Sequence, residues 1–294
     1  MNNIKELQDM PENLSLLAAQ RVLYARAKRI FGLQIIATVA FAVLFNFIRL
    51  LPKEKISEYL PYIICTSVIV ALVDVLFFIR VISKMKTNAA KIQELFDCAI
   101  YPLPWNKFTC GSKPDKNLIL ENYKRYVTDP KKPINNWYDI QLVEHSREKS
   151  ILLCQETNLW YDSKLKEAFK KSVLYILYGM IGLTVLLGLI TKLPFGLLVI
   201  YVIAPLLPAI ILAIKIYLEN EKSINASLEL KSSIASLRHS IDNPSNEQLR
   251  QIQDKIFCSR KDSALVPEWF YVKKRAELEE GMKVNASSSQ GFEN

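Results

Sequence analysis

The sequence predicts an all-α membrane protein, with four transmembrane helices in two hairpins that extend into a cytosolic helical bundle. Three observations predict it. Four long apolar stretches, at 31–48, 60–79, 173–191 and 193–214, contain a single charge, Asp74. Each is about the length a helix needs to cross a hydrocarbon core, roughly 20 residues. Lys and Arg gather at one end of each stretch. Prolines and glycines are absent where each stretch continues beyond that end.

The charges set the orientation. Arg21, Arg26, Lys28 and Arg29 precede the first stretch. Arg80, Lys84 and Lys86 follow the second, and Lys164, Lys166, Lys170 and Lys171 precede the third. The short loops hold less: Arg49, Lys53 and Lys55 in one, Lys192 in the other. The bias puts the N-terminus, the central insert and the C-terminus in the cytoplasm. The formal charge of +9 is read first as this flanking excess and not as a nucleic-acid surface. No binding to duplex DNA or RNA is expected.

The elements follow in order. Residues 1–29 form a cytosolic helix without the features of a cleaved signal, so the first span acts as a signal anchor. Residues 30–82 form hairpin one, and residues 83–172 a cytosolic insert, mostly helical but irregular over 101–136, where prolines cluster. Residues 173–216 form hairpin two, residues 217–282 a C-terminal helical region, and residues 283–294 a disordered tail. Apolar residues recur at helical spacing beyond the membrane: Ile92, Leu95, Phe96 and Ala99; less regularly Leu152, Leu153, Trp160, Leu165 and Phe169; and Ile224, Leu228, Leu230, Ile234 and Leu237. Such faces pack on one another in a bundle. The two hairpins echo each other in layout. The five cysteines form no CxxC pair and read as reduced thiols.

Catalytic signatures are lacking. There is no P-loop, GxSxG or HExxH, and the two histidines, His145 and His239, lie far apart. No enzyme activity, cofactor or metal is expected. Asp74 is the sharpest single residue, because a carboxylate in a span costs about 2.5–3.5 kcal/mol and faces a partner or a water-filled path. Folding the hairpin back puts Gln34 and Thr38 beside it. It is either a pore or gate carboxylate or the hydrogen-bonded glue of the hairpin. Arg80 and Lys215 read as snorkelling cations. Pro205 and Pro208 bend the fourth span, as a gate would use. Two cation clusters are candidates for an anionic ligand. Trp269 with Lys273, Lys274 and Arg275 offers a stacking face beside charge, although the aromatics serve equally to dock the C-terminal segment, against Trp105 for instance. Lys113, Lys116, Lys131 and Lys132, with Lys124 and Arg125, form the other, for which lipid headgroups compete.

Several strings carry a family resemblance. Residues 17–24 (Leu-Ala-Ala-Gln-Arg-Val-Leu-Tyr) lead into Ala27 and Lys28. Residues 91–97 (Lys-Ile-Gln-Glu-Leu-Phe-Asp) and 103–106 (Leu-Pro-Trp-Asn) follow span two. Cys154, Gln155, Asn158 and residues 161–165 precede span three. Residues 249–257, Arg260, residues 266–271 and Arg275 close the chain. With their spacing about the four spans, they resemble the S-4TM family of pore-forming effectors, found with cyclic-oligonucleotide synthases in bacterial anti-phage systems. The resemblance covers residues 4–282. It implies a multi-pass protein of the bacterial inner membrane that permeabilises the bilayer, acts in abortive infection and is triggered by a cyclic oligonucleotide. A four-span protomer leaves little room for a channel of its own, so a homo-oligomer is expected. The rival readings are a non-conducting membrane sensor or scaffold that binds a cytosolic partner, and a small transporter.

Overall fold

The computed structural model describes residues 3–47, 53–128, 134–136, 138, 146–191, 194–240, 244–274 and 277–278, and among them it contains helices and no strand. The order is α1 (Ile4–Gln8), α2 (Pro11–Phe47), α3 (Lys53–Val73), α4 (Ile79–Ile100), α5 (Lys107–Cys110), α6 (Lys116–Thr128), α7 (Arg147–Thr191), α8 (Phe195–Leu198), α9 (Ala204–Ser240) and α10 (Asn246–Asp262). The tail at 283–294 lies outside the described residues.

Local chemistry places the helix ends. Pro11 opens α2, where the N–H it lacks would have no helical partner. Asn106 Oδ1 accepts from the N–H groups of Phe108 and Thr109, at 3.0 and 3.4 Å, and starts α5. Asp115 Oδ1 accepts from Asn117 N–H at 2.9 Å and starts α6. These caps build two helices inside the stretch that its prolines mark as irregular. Gly111 ends α5 at φ +68°, where a side chain would be strained. A capping box starts α10: Gln248 N–H donates to Ser245 Oγ at 3.2 Å and Ser245 N–H to Gln248 Oε1 at 2.8 Å.

Two π-helical turns interrupt the apolar helices. Asp74–Phe78 joins α3 to α4, and Val199–Ile203 joins α8 to α9. In each, the next N–H reaches five residues back: Ile79 to Asp74 O, and Ala204 to Val199 O. Pro205 lies two residues past the second, after Ala204, and Pro208 one turn on. A proline donates no backbone hydrogen bond, so this widened turn falls where the ladder already lacks donors.

In the packing, α2 lies against α4, α6 and α9, α7 against α9, and α10 against α4. One core joins Leu17, Phe96, Ile100, Ile151, Ile234 and Leu249. A second, around Ala27, Phe31, Phe169, Leu212, Ile216 and Phe270, sits where the apolar stretches begin. Beyond it the apolar side chains turn outward: Leu33 and Ile36 on α2, Leu72, Leu76 and Phe77 before α4, Ile181 and Leu189 on α7, and Ile211 on α9. Among the described residues one helix, Asp162–Ile190, is long and apolar enough to cross a membrane. With 6% of its apolar window buried, it is unlike the core helix of a soluble protein. The stretches at 60–79 and 193–214 are divided by the π turns, and the one at 31–48 runs beyond the described residues.

Candidate functional site

A cavity of about 890 Å³ lies among α2, the end of α6, α7, the end of α10 and the segment after it. Arg21, Arg26, Lys28 and Arg29 line it from α2, Arg125 from α6 and Arg260 from α10. Two carboxylates share the lining, Asp162 and Glu268. Both are engaged: Lys28 Nζ is 3.5 Å from Glu268, and the buried Lys166 ammonium bonds Asp162 and Ser263 Oγ. Tyr24, Tyr126 and Tyr271 add aromatic surface. The Lys28 ammonium lies 4.8 Å from the centre of the Tyr271 ring. Burial pushes the Tyr24 phenol above its ordinary range, so it stays neutral.

Behind one wall lies a buried ionic cluster. Glu94 and Asp97, on α4, are 0% and 1% exposed. Arg250 donates to Glu94 at 2.6 Å and to Pro104 O at 3.1 Å. Gln253 Nε2 bridges the two carboxylates at 2.8 and 2.9 Å, and Gln155 donates to Gln253 Oε1 at 2.9 Å. Arg260 donates to Asp97 and also lines the cavity. Asn106 donates to Asp254 at 2.7 Å. Burial, then the neighbouring Asp97 charge, push the Glu94 carboxyl above its ordinary range against the pull of Gln253 and Arg250. Burial likewise pushes the Cys98 and Cys110 thiols up to about 12, which leaves them unreactive. All five cysteines are free.

A third feature joins the hairpins. Gln34, 2% exposed, donates to Asp74 Oδ1. Lys215, on α9, brings its ammonium to 3.9 Å from Asp74 Oδ2. Gln34 and Lys215 also line a small cavity of about 200 Å³, together with Lys86, Glu219, Lys261 and Asp262.

The structure therefore joins Asp74 to Gln34, as the folded-back hairpin predicts, and buries Thr38 one turn further on. Pro205 and Pro208 follow the second π turn. Trp269 is 57% exposed, while Phe270 docks edge-on against Phe169, 5.0 Å between centres. Trp105 belongs to a separate cluster with Ala90 and Phe257. Lys274 pairs with Glu277 at 2.6 Å, and Lys273, Lys113 and Lys116 are exposed. None of these four lysines, nor Trp269, lines either cavity. Arg275, Lys131 and Lys132 lie outside the described residues. The cations that do line the basic cavity include the four that the charge bias assigns to the flank of span one. Arg21 and Lys28 carried a signal on α2, where with Tyr24 and Ala25 they recur on one face opposite the buried Ala19, Leu23 and Ala27.

The strings that carry the resemblance meet in this region. From residues 17–24, Gln20, Arg21, Val22 and Tyr24 line the cavity, and Glu94, Asp97, Asn106, Gln155, Arg250, Gln253, Asp254 and Arg260 build the ionic cluster beside it. A protein of Bacillus cereus (strain VD146), described as a probable CBASS effector molecule, is 25% identical over 275 residues, covering 90% of this chain and 91% of the relative. No solved structure matches. The family described as the SMODS-associating 4TM effector domain matches residues 2–289, and the chain belongs to it.

Proposed function

We propose that this chain is an effector of bacterial anti-phage defence that permeabilises the inner membrane when a nucleotide second messenger reaches its cytosolic bundle. The single observation that carries the reading is helix continuity. On α2, Arg21 and Arg29 line the basic cavity, and Leu33 and Ile36 on the same helix point outward. On α7, Asp162 and Leu165 line the cavity and Ile181 and Leu189 point outward. A change at the cavity thus acts on elements that also carry the apolar belt. Membership of the effector family and similarity to a CBASS effector supply the setting. Four spans with both termini in the cytoplasm seat the belt in the bilayer and leave the cavity facing the messenger. Several copies assemble to enclose a path.

A ligand shifts such an equilibrium only by its differential affinity, and a swing from about 1:99 to 99:1 takes roughly 5.5 kcal/mol. Charge-assisted contacts to phosphate, about 1.5–3 kcal/mol each, reach that sum if several form in the open state alone. The test is expression with and without the cognate nucleotide synthase while membrane potential is followed. Depolarisation only when both are present supports the reading. A membrane that stays polarised while a cytosolic partner is captured favours the non-conducting sensor.

A further inference from the structure

We infer that the basic cavity is the binding site for a cyclic oligonucleotide, held by the cations of α2 together with Arg260. The inference deepens the messenger-triggered reading and rests on it.

Charge comes first. A cyclic oligonucleotide carries one negative charge on each phosphodiester, spaced around a ring, so its site needs cations on more than one wall. Here they come from α2, α6 and α10, three separate elements. The two carboxylates that would oppose the ligand are already paired with Lys28 and Lys166. Arg125 also pairs with Glu121 at 2.6 Å and Arg260 with Asp97, but six cations against two carboxylates in the lining leave a cationic excess in a partly enclosed space, where charge-assisted contacts to phosphate are strong.

The rest of the lining selects for a nucleotide over a bare phosphate. Three tyrosines present rings on which bases stack. Ser259 and Gln93 offer hydrogen bonds to base edges. At about 890 Å³ the space lies in the upper part of the range of small-molecule sites, roughly 300–1,000 Å³. An anionic lipid headgroup would satisfy the cations but leave the tyrosines unused.

Arg260 gives the site a consequence. It lines the cavity and also holds Asp97, whose other oxygen, Oδ1, has no hydrogen-bond partner among the described residues. A phosphate in the cavity competes with Asp97 for that guanidinium. Occupancy thus loosens the attachment of α10 to α4.

The full-length protein in detergent, and in nanodiscs with and without phosphatidylglycerol, is titrated with cyclic di-AMP, cyclic GMP–AMP and cyclic tri-AMP. At least one should bind. The pair Arg26→Gln and Arg29→Gln, both in the cavity lining, should weaken binding at least tenfold with the melting temperature unchanged. Lys113→Gln with Lys116→Gln should bind within about twofold of the unaltered chain. Affinity kept in the α2 pair, or lost instead in the Lys113 pair, overturns the cavity assignment and leaves the messenger reading standing. Binding of none of the three nucleotides overturns it, as does protection that depends on phosphatidylglycerol alone. Binding lost in the α2 pair, together with an unaltered chain that binds the nucleotide but does not depolarise cells when its synthase is present, upholds the cavity and sinks the permeabilisation reading, so the two failures are separable.

Discussion

Glu94 and Asp97 stand three residues apart on one helix face, fully buried and alike in charge, and α10 brings Arg250 and Arg260 to them. Removing the Glu94 side chain leaves Arg250 with less compensation in a buried site, and Glu94→Ala should cost about 3–5 kcal/mol. Glu94→Gln keeps the shape and much of the hydrogen bonding, and its effect should depend on pH. The Glu94 pKa is raised in the folded state from the ordinary 4.5. Above that value the unfolded chain has released its proton while the folded chain retains it. Stability therefore falls as pH rises from about 4.5 toward the folded value, and is fully present below 4.5. The glutamine variant lacks this titration, so its melting temperature should fall less steeply as pH rises above about 4.5 than that of the unaltered chain. Parallel slopes would remove Glu94 from the account. Asp74 makes the other residue-scale prediction. Asn in its place keeps a partner for Gln34 but loses the charge that faces Lys215. If the pair holds the hairpins closed, Asp74→Asn should depolarise cells without any messenger, at unchanged protein level. Adding Lys215→Gln should then deepen the effect little, since both changes break one interaction. A silent Asn variant reduces Asp74 to glue.

At the scale of elements, much was legible in the sequence. The helical extensions beyond the apolar stretches follow from the 3.6-residue recurrence of Ile92 and Phe96, or Leu230 and Ile234, and these residues are buried. What was not legible depends on distant partners. Gln93, Glu94 and Asp97 look like an ordinary polar face of α4, and only the approach of Arg250, Gln253 and Arg260, about 155 residues on, makes that face interior. The π turns carry no composition signal, although Pro205 accounts for one of them after the fact. The cations of α2 serve the orientation rule and the cavity alike, and the rule absorbed them. The rule still makes its own prediction. In a chain without its native cysteines, a membrane-impermeant thiol reagent applied to spheroplasts should label a cysteine placed at 55 and spare one at 115. The reverse pattern would falsify the inward placement of the cavity, and with it every argument from a cytosolic messenger. Cys65 must be among those removed, because it is exposed, whereas Cys110 and Cys154 are buried.

Across the whole molecule, the end of α10 separates the two cavities. Arg260 and Ser263 line the basic one, Lys261 and Asp262 the small one, and Leu265 both. The small cavity also holds Gln34 and Lys215, the two partners of Asp74. A ligand that draws Arg260 from Asp97 therefore moves a segment in contact with the surroundings of the hairpin latch. Spatial adjacency alone does not establish coupling, which is a free energy and must be measured. Linkage supplies the measurement. If the messenger favours the state in which the latch is open, then a change that opens the latch must favour the messenger by the same factor. Asp74→Asn alters no residue of the basic cavity, since neither Asp74, Gln34 nor Lys215 lines it. It should nevertheless tighten messenger binding to the purified protein, by a factor in the range of about 5–150 that typical coupling energies allow. The converse holds for a change that locks the latch. A cross-link between cysteines placed at 74 and 215 should weaken messenger binding, and reduction should restore it. Unchanged affinity in the Asn variant, with depolarisation still raised, would mean that the latch gates the membrane without communicating with the cavity. The signal would then have to travel by α2 or α7 alone, the two helices that run from the cavity wall to the apolar belt.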